Sequence, residues 1–173
     1  MSRPKKNKLT LWREYGLGGY IVKSAPPGNR YKSNVRKSIF WWLTSRFCRI
    51  RDFRKYGKCI SCDMEFNSWT DGDGGHFAPA QGCGIGLLFD LFNVNLECRQ
   101  CNAFDEGHLI GYRRGLIERH GVKVVEDIER RYQHHQKFPG AEKEWSQIQY
   151  DNCIKDLIKN MVEENMLELV AVE

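Results

Sequence analysis

The first 58 residues contain almost no acid: Glu14 and Asp52 stand against sixteen Lys and Arg, a net charge of +14. The remaining residues carry −9, so the 173-residue chain ends at +5. No apolar run approaches the roughly 18 residues that a membrane-spanning helix needs. No apolar stretch of the secretory kind follows Met1-Ser2-Arg3-Pro4-Lys5-Lys6, so the chain is expected to stay in the compartment where it is made. Seven cysteines cannot form a complete disulfide set, and a reducing compartment disfavours any. Repeats and low-complexity segments are also missing.

What is present is enough for a packed core, with 41% hydrophobic and 12% aromatic residues. The length fits one domain, or one domain with an arm. The basic N-terminal stretch attracts polyanions, because each neutralised phosphate releases condensed counterions. Trp12, Tyr15, Tyr20, Tyr31, Phe40, Trp41 and Trp42 are interleaved with the charge and offer stacking surfaces. Charge alone leaves a solvated tail, an RNA-binding segment or a membrane-surface segment open.

Residues 1–33 read as an irregular basic arm, broken by Gly16, Gly18, Gly19 and Pro26-Pro27-Gly28-Asn29. Residues 34–58 read as a basic helix with Val35, Ile39, Trp42, Leu43, Phe47 and Ile50 at helical spacing, capped by Ser33 or Asn34 and closed by Gly57. Residues 59–120 hold the chemistry. Within them 65–86 is rich in Gly, Asp, Ser and Asn and is expected to be mostly loop. Phe92, Val94 and Leu96 alternate with Asn93, Asn95 and Glu97, predicting a half-buried strand with a polar face. From Ala103 onward helices are expected, with stripes at Leu109/Tyr112/Leu116/Ile117, Val124/Val125/Ile128/Tyr132 and Trp145/Ile148/Ile154/Leu157/Ile158/Met161/Val162. The segment 121–173 therefore reads as C-terminal helices with apolar stripes available for dimerisation. His120, His134 and His135 read as solvated, and Cys83 as a free loop thiol.

Cys59-Ile60-Ser61-Cys62 and Cys98-Arg99-Gln100-Cys101 are two C-x-x-C knuckles. Four thiolates make a tetrahedral zinc site with no open position, so this zinc is expected to be structural. It would tie together the ends of the 35 residues between Cys62 and Cys98.

Three residues are spaced tellingly around that frame. His76 lies 14 residues after Cys62 in Gly72-Asp73-Gly74-Gly75-His76-Phe77, Asn93 lies five before Cys98, and Asn102 follows Cys101. The arrangement resembles the HNH, or ββα-metal (His-Me finger), nucleases, and its Asn after the fourth cysteine is similar to the zinc-bearing phage resolvases of the endonuclease VII type. The segment Arg46 to His120 further resembles the Rap/NinG recombination nucleases of lambdoid phages. It does so through Arg49-Ile50-Arg51-Asp52, both knuckles, Gly72 to Phe77, Leu88-Phe89-Asp90 with Asn93, Asn102 and Tyr112 to Ile117, with Lys143-Glu144-Trp145 beyond it.

The resemblance implies an α+β fold: a small ββα-metal core stapled by a four-cysteine zinc site and surrounded by α-helices. It implies His76 as general base, Asn93 as the residue that steadies its loop, and Asn102 as a ligand of a catalytic Mg²⁺ or Mn²⁺. Many HNH proteins place Asp immediately before the base; here Gly75 stands there, leaving Asp73, or beyond Asn102 the residues Glu106 and His108, as the second ligand. The implied activity is hydrolysis of phosphodiester bonds in branched DNA, including Holliday junctions, by a homodimer in the cytoplasm of a phage-infected bacterium. Arg49, Arg51, Arg99 and Arg113 are candidate DNA contacts. Two rivals remain at this level, a zinc-ribbon nucleic-acid-binding module without turnover and an HNH nickase on linear duplex.

Overall fold

In the computed structural model, residues 8–19, 34–104 and 108–167 are described. The element order is α1 (Lys8–Glu14), α2 (Val35–Tyr56), β1 (Asp73–His76), α3 (Ile85–Leu88), β2 (Val94–Glu97), α4 (Arg99–Phe104), α5 (His108–His120), α6 (Val122–Lys137) and α7 (Gln147–Glu163), with a 3-10 turn at Leu17–Gly19. This is an α+β chain with one two-stranded antiparallel sheet among the described residues. No described helix is long and apolar enough to cross a membrane. Most of the basic arm expected at 1–33 lies outside the described residues.

The chain divides into two compact units. One consists of residues up to Thr44 together with those from Trp145 onward; the other is Ser45–Glu144. The division therefore falls inside α2 and just before α7.

The first unit is held by aromatic packing. Trp12 meets Trp42 edge-on at 5.1 Å, and Trp145 and Tyr150 pack at 5.5 Å beside Phe40. Asn34 caps α2 by accepting the Lys37 amide at 3.0 Å. Ser146 and Gln149 form a reciprocal capping box at the start of α7. Tyr150, Ile154, Leu157 and Met161 form the buried stripe of α7. Ile148 and Val162, expected on that stripe, are instead exposed. Asp151 accepts Arg36 Nε at 2.6 Å and the Tyr15 hydroxyl, and burial with Asp151 beside it pushes the Tyr15 pKa up.

The second unit is organised around β1 and β2, paired in the register Asp73↔Glu97, Gly74↔Leu96, Gly75↔Asn95 and His76↔Val94. Gly57, at φ 66°, closes α2 as expected. Asp52 of α2 is fully buried and accepts the Leu96 amide at 2.8 Å and Arg51 Nε at 2.7 Å. Arg51 continues to Leu91 O at 2.6 Å, Val94 O at 3.2 Å and Asn95 Oδ1 at 3.2 Å. Arg119 of α5 lies 3.7 Å from Asp52 Oδ2 and donates to Lys58 O at 2.9 Å. Helix α5 lies directly on the first cysteine knuckle: a Cβ at Gly111 would strike Ser61 O, and one at Gly115 would strike Ile60 O. Two glycines one helical turn apart thus let helix backbone approach loop backbone.

Three expectations need correction. The strand is Val94–Glu97 and has no polar solvent face, since Asn93, Asn95 and Glu97 are all fully buried. Its polar side chains face hydrogen-bond partners from α2, α5 and the knuckle, which removes the penalty of burying them. Phe92, expected inside, is 47% exposed. The glycine-rich stretch 65–86 is mostly loop as expected, with β1 and the start of α3 within it. On α5, Tyr112 and Leu116 are buried, but Leu109 is exposed and Ile110 is 82% exposed.

Candidate metal and catalytic site

The four knuckle cysteines converge, with their Sγ atoms all within 4.8 Å of one another. Cys62 Sγ and Cys98 Sγ are 3.8 Å apart, matching the edge of a tetrahedron with Zn–S bonds of about 2.3 Å. Backbone amides already point at the sulfurs: Ser61 N and Cys98 N lie 3.4 and 3.3 Å from Cys59 Sγ, and Cys101 N lies 3.4 Å from Cys98 Sγ. Such N–H···S contacts favour thiolate ligands. Burial pushes the Cys59 thiol up to about 11 and the Cys101 thiol higher still, a cost that a bound dication reverses by deprotonating the set. The residues fit a structural zinc ion.

The second knuckle runs straight into α4, and Asn102 projects from that helix as an exposed side chain. Asn102 Nδ2 lies 3.4 Å from Asp73 Oδ2 at the start of β1. The two ends of an asparagine amide are interchangeable by rotation, so the same position can present Oδ1 beside the carboxylate. Two oxygen donors at one spot suit a hard dication that keeps its own waters.

Gly75 is explained by sterics. A Cβ there would collide with the carboxylate of Glu97, which is buried and accepts the Ser61 hydroxyl. No aspartate side chain has room immediately before His76, and the nearest acid along the strand is Asp73. Of the other second-ligand candidates, His108 is half-buried at the start of α5, 6.4 Å ring to ring from Tyr112, and Glu106 lies outside the described residues.

His76 closes β1, about 10 Å along the strand from Asp73 at roughly 3.3 Å per residue. Its Nε2 lies 3.0 Å from Leu88 O. A carbonyl only accepts, so Nε2 carries the proton and the lone pair of the neutral ring is on Nδ1. Asn93 is fully buried and its amide is engaged at both ends: Oδ1 accepts Ala78 N at 2.7 Å, while Nδ2 donates to Ala78 O at 3.2 Å and Leu87 O at 2.9 Å. The last carbonyls of the short helix α3 lack intrahelical donors. Asn93 donates to Leu87 O, which also accepts the Asp90 amide at 3.2 Å, and His76 donates to Leu88 O, so the loop between the strands is tied to both.

The four arginines read as DNA contacts differ in their surroundings. Arg49 donates to Gly72 O at 3.1 Å and lies 4.7 Å over the Trp69 ring. Arg51 belongs to the Asp52 network described above. Both are internal because α2 packs on the β-pair, and they brace the site's scaffold. Arg113 pairs with Glu129 of α6 at 2.7 Å. Arg99 is exposed at the start of α4, three residues before Asn102. Cys83 is a free loop thiol as expected, and it is buried. The solvated reading is corrected for His120, which is half-buried, stacked edge-on against Phe92 at 5.1 Å, with burial and nearby Arg51 lowering its pKa. His135 is also largely covered, 3.6 Å from Glu142, while His134 is exposed as expected.

Sequence reasoning passed over Asp52, Glu97, Asn95 and Tyr112. Asp52 stood out as one of only two acids in a basic stretch. The alternation that placed Asn95 and Glu97 on a solvent face pointed the other way.

A sequence profile described as "Bacteriophage Lambda NinG protein" matches residues 29–160, most of the chain. The chain belongs to the NinG family. It is 33% identical over 109 residues to the protein ninG of Salmonella phage P22, covering 62% of this chain and 51% of that protein. The counterpart in Escherichia phage 933W is 32% identical over 109 residues, 62% and 52% of the two chains. That of Escherichia phage lambda is 31% identical, again over 109 residues, 62% and 51% of the two chains. The chain thus spans about half the length of the curated relatives it matches. No solved structure matches it.

Proposed function

We propose that this NinG-family chain is an HNH-type, metal-dependent DNA endonuclease that nicks branched DNA, four-way junctions among its substrates. The observation that carries the reading is that β1, beside the four-cysteine cluster, bears an oriented histidine at one end and, at the other, an aspartate that meets Asn102 of α4. His76 has its Nε2 on Leu88 O, and Asp73 meets Asn102 at 3.4 Å. In this reading β1, β2 and α4 form the ββα-metal core.

His76 Nδ1 takes a proton from the attacking water, a role worth about 10²–10⁴-fold. Leu88 O holds the ring and stabilises the charge that it gains. Asp73 and Asn102 would hold Mg²⁺ or Mn²⁺, which when bound supplies charge stabilisation for the phosphoryl oxygens and the leaving group. Asn93 keeps the intervening loop from shifting the imidazole. Arg99, exposed beside Asn102, reaches for the DNA backbone. A zinc ion held by Cys59, Cys62, Cys98 and Cys101 would have no open position and would take no part in the chemistry.

Resolution of a four-way junction needs two matched nicks, and one such core cuts one strand at a time. A symmetric dimer answers that need. The reading is tested with purified, zinc-loaded protein on labelled four-way junction, flap and linear duplex, each with Mg²⁺, Mn²⁺ or EDTA, alongside sedimentation of the free protein. Metal-dependent nicking of the junction in preference to duplex by a dimer is expected. Binding without turnover in every metal would replace the nuclease by a zinc-ribbon adaptor, and equal cutting of linear duplex by a monomer would leave a general nickase.

A further inference from the structure

Tyr112 is fully buried on α5, and its hydroxyl meets the strand pair at His76. It donates to Gly75 O at 2.8 Å, with Asn93 O 3.3 Å away, and it lies 3.3 Å from the donating Nδ2 of Asn95. Asn93 O in turn accepts the Phe77 amide at 3.0 Å. The residue before His76 and the residue after it are thus both tied to carbonyls that converge on one phenol. The Tyr112 ring packs on Phe77 at a centroid distance of 5.7 Å.

Packing alone does not call for that hydroxyl. A phenol at a core position costs desolvation unless it is satisfied, and phenylalanine would fill the same space. What the hydroxyl adds is a fixed acceptor plane at Gly75, whose own backbone is the least restrained of any residue type. We propose that Tyr112 is the positioning residue of His76. Its hydroxyl holds the Gly75–His76 peptide plane, so that the imidazole keeps Nε2 on Leu88 O and presents Nδ1. This rests on the reading of His76 as general base.

The test uses the zinc-loaded full chain as wild type, Tyr112→Phe and, as a core control on the same α5 stripe, Leu116→Ala. Junction cleavage gives kcat and KM, and nitrogen-15 imidazole spectra report the His76 tautomer, with His76→Gln assigning the signal. Tyr112→Phe is expected to keep zinc and KM, to lose on the order of 10-fold in kcat through misalignment, and to mix the two His76 tautomers. Leu116→Ala should lower thermal stability and leave the His76 signals in place. Wild-type kcat with an unmoved His76 spectrum in folded Tyr112→Phe overturns the proposal, as does the same tautomer shift in Leu116→Ala. If the wild type does not cleave yet Tyr112→Phe still mixes the tautomers, the nuclease reading fails and the positioning contact stands. If Tyr112→Phe does not fold, 3-fluorotyrosine at position 112 keeps ring and hydroxyl while strengthening the donor. An unmoved His76 spectrum in that protein also overturns the proposal.

Discussion

The side chain of Asn93 closes a two-point clamp on the backbone of Ala78, accepting its N–H at 2.7 Å and donating to its C=O at 3.2 Å. Asn93→Ala leaves both groups without this partner in a buried place, while Leu87 O keeps the Asp90 amide. Each loss costs about 1–3 kcal/mol. A drop of several degrees in melting temperature is expected, together with loss of junction cleavage. Asn93→Asp should do nearly the same, because a carboxylate accepts from Ala78 N and donates nothing to the two carbonyls. Wild-type stability in both variants would remove the clamp.

The base and the zinc frame should separate by mutation. His76→Ala should retain zinc, fold and DNA affinity while losing about 10²–10⁴-fold in cleavage. Zinc content, circular dichroism and single-turnover rates measure this. Cleavage by His76→Ala at the wild-type rate would sink the mechanism.

Removal of one thiolate has the opposite signature. Cys59→Ser or Cys101→Ser should bind zinc weakly and unfold the region from Cys59 to Cys101, since structural zinc contributes about 10–16 kcal/mol in small zinc domains. Chelation of the wild type should reproduce the same spectral change. A folded, zinc-free Cys59→Ser would refute the structural role.

Asp73→Asn and Asn102→Ala should each raise the Mg²⁺ concentration needed for half-maximal cleavage, because each removes one of two hard donors. The double variant should be little worse than either single one, since residues serving one ion are not additive. Independent, multiplicative losses would place the two residues at different ions or roles.

Acid should destabilise the fold partly through His120. Its folded pKa lies below the ordinary 6.5 because of burial and the nearby Arg51. The sign follows from linkage: the unfolded chain binds this proton more readily, so the contribution is present above about pH 6.5 and is lost as pH falls through the lowered folded value. His120→Gln should lessen the fall in melting temperature between pH 7.5 and 5.5. An identical fall in both proteins would show that His120 does not contribute.

The basic arm should supply affinity. Removal of residues 1–7 takes away Arg3, Lys5 and Lys6 and spares α1, whose Leu11 and Trp12 are buried. Each that contacts phosphate adds about 0.9 to the slope of log K against log salt. Shallower salt dependence with cleavage retained at saturating protein is expected; an unchanged slope would remove the arm from the interface.

Local chemistry was readable from residue order alone. The knuckle spacing predicted the four-cysteine cluster because two residues between cysteines is the reach of one metal-binding turn. The helical stripes around Ile39, Tyr112, Val125 and Ile154 followed from a period of 3.6 residues. His76, Asn93 and Asn102 stood out by their distances from those knuckles. Tertiary packing decided the rest. A period of two assigns faces to a strand without saying what covers each face, so Asn95 and Glu97 read as solvent-facing until α2, α5 and the knuckle were seen to enclose them. Charge says nothing of a side chain's partners, so the contacts of Arg49 with Gly72 O and the Trp69 ring, and of Arg51 with Asp52, were not legible in the sequence. The tautomer of His76 and the grip of Tyr112 on Gly75 depend on contacts 12 and 37 residues away in the chain, and no local pattern encodes a contact at that distance.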